Sequence, residues 1–147
     1  PPGRLLRVVL EALYMFADDM GEPEVLLRAA ELKVLACAGF SPRLEHCANC
    51  GSAANNGYFS PVSGGMLCTA CEKADPYGYR ISPGTIGVMK LMLRWKLKKL
   101  GCLKVERNIL KELERIMRAY VAVHIEKDFS SNKFMDSIKN KVTGRQE

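Results

Sequence analysis

Cys47, Cys50, Cys68 and Cys71 form two C-x2-C pairs separated by seventeen residues. Each pair can present two thiolates to one metal ion from a tight turn. The intervening loop is long enough to bring the second pair back and complete a tetrahedron. This spacing predicts a structural zinc site, Zn2+ held by four cysteines. A closed shell of four thiolates leaves no coordination position for water or substrate, so the chemistry it predicts is architectural rather than catalytic. His46 abuts Cys47 and is a candidate substitute ligand that four well-spaced thiolates make unnecessary. Cys37 and Cys102 stand alone beside apolar neighbours and read as small buried thiols.

Catalytic constellations are otherwise missing from the sequence. His124-Ile125-Glu126 has the H-x-E form of zinc deaminases, but neither cysteine pair follows a proline and the order along the chain is reversed. There is no phosphate-binding glycine loop, no H-E-x-x-H and no serine elbow. A non-enzymatic protein without a small-molecule substrate is therefore expected.

A second kind of chemistry is electrostatic. The net charge is +6, and residues 90–118 hold ten basic side chains against three acidic ones. Lys90, Arg94 and Lys98 fall at i, i+4 and i+8, on a flank beside an apolar stripe. Arg107, Lys111, Arg115 and Arg118 form a similar row further on. Two such ridges can track a phosphate backbone with sequence-independent affinity, and can equally be solvated helix faces. Trp95 and Tyr120 are candidates for base stacking or for packing.

These residues need elements to hold them. The chain has 147 residues, 48% of them hydrophobic, enough for one folded domain with a core. The paired cysteine spacing, with no signal-peptide pattern, points to metal in a reducing compartment rather than a disulfide scaffold. No run approaches ~18 apolar residues, so no membrane span is predicted. Leu5, Leu6, Val9, Leu13 and Phe16 give helical spacing over 4–17. Pro23 opens a second helix over about 24–38, apolar at Val25, Leu26, Ala29, Leu32 and Ala36, with Gly39 placed to stop it. Residues 41–81 lose this periodicity and are dense in Gly, Ser, Asn and Pro. Tyr58-Phe59 and Met66-Leu67 are predicted as strands of a small hairpin. Ser82-Pro83 restarts a helix with an apolar stripe at Ile86, Met89, Leu93, Leu97 and Leu100, ended by Gly101. A further helix is expected over 106–127, and Phe134, Met135 and Ile138 suggest a last short one. The predicted fold class is thus mainly α. It is one helical domain over 1–147 with a four-cysteine zinc ribbon inserted at about 45–75.

Taken together, Leu26-Leu27-Arg28-Ala29-Ala30-Glu31-Leu32, Gly39-Phe40-Ser41-Pro42, His46-Cys47-Ala48-Asn49-Cys50-Gly51, Tyr58-Phe59-Ser60-Pro61, Gly64-Gly65-Met66-Leu67-Cys68-Thr69-Ala70-Cys71 and Ile81-Ser82-Pro83-Gly84 resemble the C-terminal part of the RecO family of recombination mediators. The resemblance implies a role in DNA repair in the bacterial cytoplasm. It implies binding and annealing of single- and double-stranded DNA. It also implies work with RecR and with single-stranded DNA-binding protein (SSB), whose acidic tail some relatives contact, so that RecA can load. Relatives carry an N-terminal OB-fold domain, and nothing like five strands precedes residue 24 here.

Overall fold

A computed structural model describes residues 2–130. The predicted short helix around Phe134, Met135 and Ile138 lies outside the described residues. Five helices and three short strands follow in the order α1 (Pro2–Ala17), α2 (Pro23–Cys37), β1 (Tyr58–Ser60), β2 (Gly65–Met66), β3 (Tyr79–Arg80), α3 (Pro83–Arg94), α4 (Leu97–Leu100) and α5 (Arg107–Ser130). The fold is mainly helical, with the cysteine-bearing ribbon between α2 and α3.

α2 is the centre of the bundle and touches α1, α3, α4 and α5. Pro23 occupies its first turn, where a missing N–H costs nothing. Val25, Leu26, Ala29 and Leu32 are all 0–1% exposed, as the spacing predicted, while Ala36 is half-buried. The helix ends at Cys37, and Gly39 then takes φ 90°, a left-handed turn that a side chain would resist.

α1 is helical as its spacing predicted, but the apolar stripe that gave that prediction is not its buried face. The face that packs on α2 and α4 carries Ala12 and Met15, both buried. The predicted stripe of Leu5, Leu6, Val9, Leu13 and Phe16 remains exposed, at 36–59%. Periodicity reports that a face is apolar; it does not report which partner is present to cover it.

The predicted helix from Ser82 to Leu100 is broken. Ser82 caps α3 as expected, its Oγ accepting from Thr85 N–H at 3.3 Å. Trp95 and Lys96 then turn extended, with ψ of 147° and 145°. The break resets the helical phase: Thr85, Met89 and Met92 are buried on α3, and Leu97 and Leu100 on α4. Ile86 and Leu93, predicted within the stripe, are only partly buried against the core. The freed end of α3 is stabilised from outside, since Lys33 Nζ donates to the Trp95 carbonyl at 2.5 Å.

The ribbon is a three-stranded antiparallel sheet ordered β2-β1-β3. The predicted hairpin is present, with Phe59 opposite Met66 and Ser60 opposite Gly65. β3 was not predicted; it pairs Tyr79 with Phe59 and Arg80 with Tyr58. Side chains alternate across the sheet. Phe59 and Met66 enter the main helical core, whereas Tyr58 and Leu67 pack with Cys47 in a smaller cluster on the other side. Gly65 lies so close to the Arg43 backbone that a Cβ would sit 2.2 Å from its carbonyl oxygen, so a side chain there would part β2 from the preceding loop.

Candidate metal centre and basic surfaces

Two tight turns deliver the four cysteines. In the first, Gly51 N–H donates to the Cys47 carbonyl at 2.9 Å and Cys47 N–H to the Ser52 carbonyl at 2.7 Å. In the second, Cys71 and Glu72 N–H donate to the Cys68 carbonyl at 2.9 and 3.1 Å, leading into a 3-10 turn at Glu72–Ala74. β1 and β2 hold the turns together: Leu67 N–H donates to the Tyr58 carbonyl at 3.0 Å, and Ala48 N–H to that of Met66 at 2.7 Å. The second turn is anchored from beneath by Asp75, which is buried. Asp75 Oδ2 accepts from Ser60 Oγ at 2.7 Å, its Oδ1 accepts from Tyr77 N–H at 3.1 Å, and Tyr58 OH donates to its carbonyl. Apart from the pairing of Tyr58 with Phe59 as strand residues, sequence reasoning missed this anchor; its members are far apart in the chain and match no spacing rule.

As predicted from their spacing, the four sulfurs converge, all lying within 4.8 Å of one another. A tetrahedron with metal–sulfur bonds of ~2.3 Å needs sulfur separations of roughly 3.8 Å, and Cys50 Sγ and Cys68 Sγ are 3.6 Å apart. Asn49 Nδ2 lies 3.4 Å from Cys71 Sγ, and Ser52 Oγ lies 2.8 Å from Cys50 Sγ. Burial opposes charge on Cys47, but backbone N–H groups at Cys50, Cys68 and Asn49 outweigh it and bring the thiol down to about 6. The Ser52 hydroxyl holds Cys68 below its ordinary value against burial. The Asn49 amide pulls Cys71 down too, yet the neighbouring sulfurs and burial push it up to about 12. The cluster thus favours thiolates at some sulfurs while mutual repulsion opposes a full set, a conflict that a bound cation relieves. The donor set fits one metal ion.

His46 is exposed in the bridge to Ala53 and is not needed in this set. His124, from the deaminase-like triplet, is a core residue, its ring 5.0 Å from Phe40 and 4.2 Å from Tyr120. Tyr120 is likewise buried and packs on Phe59, so it is no stacking platform. Trp95 is half-buried with Lys99 Nζ over its ring at 4.1 Å. Cys37 is half-buried, but Cys102 is exposed, contrary to the expected burial of both.

The basic residues divide into two surfaces. On α5, Lys111, Arg115 and Arg118 line one depression of about 460 Å³ with Tyr79 of β3. The Arg115 guanidinium lies 5.4 Å from the Tyr79 ring centre, and Arg118 reaches Glu114 at 3.1 Å. Arg107 stands apart, paired with Glu24 at 2.6 Å. Lys90 is half-buried and Arg94 exposed on α3; Lys98 belongs to α4 beyond the break, so the predicted i, i+4, i+8 ridge is not one helical row. A second basic surface was not foreseen. Arg4 and Arg7 of α1, Lys33 of α2 and Lys96, with Glu11 as the one acidic member, surround a cleft of about 470 Å³ floored by Val8, Leu93 and Leu97. The net negative charge of residues 1–46 concealed it; only folding brings Arg4, Arg7 and Lys33 to Lys96.

The chain matches the family model described as "Recombination protein O C terminal" over residues 1–133. It is 35% identical over 137 residues to a DNA repair protein RecO from Pelotomaculum thermopropionicum, covering 92% of this chain and 53% of the relative. It is 33% identical to that from Symbiobacterium thermophilum, covering 90% and 54%. It is 33% identical over 147 residues to that from Desulforamulus reducens, covering 99% and 57%. The chain therefore spans about half the length of these curated relatives. No solved structure is significantly similar to it.

Proposed function

The chain belongs to the recombination protein O C-terminal family, and from that premise we propose that it is the non-catalytic, zinc-stabilised part of a DNA-repair mediator, contacting DNA through its basic helical surface. The observation that supports DNA contact is the depression between α5 and β3, where Lys111, Arg115 and Arg118 converge from two turns of one helix. Their ion pairs do not preclude this. Exposed pairs such as Arg118–Glu114 contribute only about 0–1 kcal/mol and exchange readily for phosphate. Lys90, Arg94, Lys98 and Arg107 do not line this depression and add only to the net positive charge of the segment. Strand annealing, RecA loading and work with RecR belong to the full-length protein in this reading.

The metal in this reading is Zn2+. An all-thiolate tetrahedral set suits zinc or an iron–sulfur cluster, and colourless protein with one zinc per chain by elemental analysis separates them.

DNA contact is tested by binding to labelled single-stranded DNA across a salt series. Reversing Lys111, Arg115 and Arg118 to Glu is expected to weaken binding to every sequence. It should also flatten the dependence of log K on log salt by roughly 0.7 for each phosphate no longer neutralised. Unchanged affinity and slope in the triple variant would remove this surface from the proposal.

A second reading is favoured by the cleft between α1, α2 and the α3–α4 break. Its basic rim and apolar floor fit an acidic peptide with an apolar anchor, such as an SSB tail. Peptide binding lost in Arg7→Glu, with DNA binding intact, would assign the two ligands to separate faces.

A further inference from the structure

The α1 helix exposes its most apolar side. Leu5, Leu6, Val9, Leu10, Leu13 and Phe16 are each 36–59% exposed. At ~100° per residue they occupy an arc of about 140°. No charged residue falls inside that arc; Arg4, Arg7 and Glu11 lie on the opposite side, towards the basic cleft. The buried stripe is only Ala12 and Met15, about 20° and 80° beyond the Leu5 edge of this arc, and is much smaller than the face left in water. Folded monomers rarely leave a contiguous apolar patch of more than a few hundred Å² without a partner, and a helix normally turns its apolar arc inward.

The length of the relatives supplies an occupant. The chain accounts for only 53–57% of each of these relatives, and the family model is the C-terminal one. In a full-length member the remaining half is joined to the same polypeptide, at an effective concentration on the order of millimolar. An apolar contact too weak to form between separate molecules at micromolar concentration is populated at such a concentration. A partner for this face must be apolar and uncharged at its centre, with the width of one helix or one sheet face.

We propose that the exposed face of α1 is an intramolecular docking surface for an apolar face of the N-terminal half of the full-length family protein. This rests on the family assignment and is independent of DNA contact. Docking buries Leu6 and Leu13 at its centre and Leu10 at its edge. It leaves the basic cleft open, because Arg4 and Arg7 are on the other side of the same helix.

The test uses the Desulforamulus reducens relative, which aligns with 99% of this chain. A photo-crosslinking benzoylphenylalanine is placed in the full-length protein at the position aligned with Leu10, and the crosslinked peptides are identified by mass spectrometry. Crosslinks within one chain to the N-terminal half are expected. Crosslinks between two chains would overturn the proposal in favour of a dimer face, and crosslinks to the C-terminal end would assign the face to the chain's own tail. No crosslink would show the face to be solvated and also overturn it. As a second readout, the 147-residue chain should bind the apolar dye ANS several-fold more strongly than the full-length relative. Leu6→Gln with Leu10→Gln should abolish that excess while leaving helical circular dichroism intact. Equal dye binding by the two proteins would count against docking.

Discussion

Asn49 and Ser52 are not among the four cysteines of the candidate metal centre, yet each lies against one of their sulfurs, at 3.4 Å from Cys71 Sγ and 2.8 Å from Cys50 Sγ. Partners of this kind orient thiolates and spread their charge. Asn49→Ala or Ser52→Ala is expected to weaken metal affinity about 10-fold, up to about 100-fold, measured by competition with a chromophoric chelator; unchanged affinity would show these interactions to be incidental. Tyr120 makes a different residue-scale claim. Its OH donates to the Phe40 carbonyl at 2.7 Å, and burial pushes its pKa up to about 12 from 10. The folded state therefore retains the proton at a pH where the unfolded chain has released it. This contribution is fully present below pH 10 and is lost as pH rises through about 12. Tyr120→Phe should cost roughly 1 kcal/mol near neutrality, and the difference from wild type should shrink in urea titrations at alkaline pH.

Ser82 shows how much one cap organises at the scale of elements. Its Oγ accepts from Thr85 N–H, and its own N–H donates to Glu112 Oε1 on α5 at 2.6 Å. α3 is thereby started and tied to α5 at one residue. Ser82→Ala removes the first bond and keeps the second, so a loss of about 1 kcal/mol is expected in chemical denaturation. A loss near zero would mean that Pro83 and the Glu112 bond suffice to start the helix. The α3–α4 break is the element that sequence periodicity concealed. Ile86, Met89, Leu93, Leu97 and Leu100 read as one unbroken stripe, and neither proline nor glycine stands at Trp95 or Lys96. The break is set by interactions distant in sequence, through Lys33 and the burial of Leu97 and Leu100. β3 was concealed differently: two residues are too short to show a period of two. It is held by pairing with β1, and Gly78 beside it must lack a side chain because a Cβ would fall 2.5 Å from the Tyr58 ring.

The ribbon and the bundle are less separable across the whole molecule than a boundary at 45–75 suggests. Phe59 and Met66 are fully buried in the same core as α2, α3 and α5. Among the described residues, Cys47, Tyr58 and Leu67 form a separate core beside the cysteine cluster. Metal removal should therefore act unevenly. Chelation is expected to raise amide exchange in the turns around Cys47–Ser52 and Cys68–Ala74, while β1 and the helices stay protected and helical circular dichroism persists. Loss of the helical signal on chelation would show that the metal holds the bundle as well as the turns. The same unevenness bears on binding: the Tyr79 edge of the α5 depression belongs to the ribbon, so metal loss should weaken DNA binding less than reversal of the α5 charges does.

The cysteine spacing, the hairpin of the four-cysteine ribbon, the helix starts at Pro23 and Ser82 and the basic segment were all legible in the sequence, because each is a local pattern with a local physical cause. Ligand spacing, capping and turn chemistry act over a few residues, and so they survive in a one-dimensional reading. What tertiary structure decided was where faces point and what they meet. It broke α3 from α4, gathered Arg4, Arg7, Lys33 and Lys96 around one cleft, grouped Lys111, Arg115 and Arg118 with Tyr79, and turned the leucines of α1 outward. Those outcomes depend on which side chains fit together across the bundle. The energy of packing is shared among residues distant in the chain, and spacing along one helix carries no record of it.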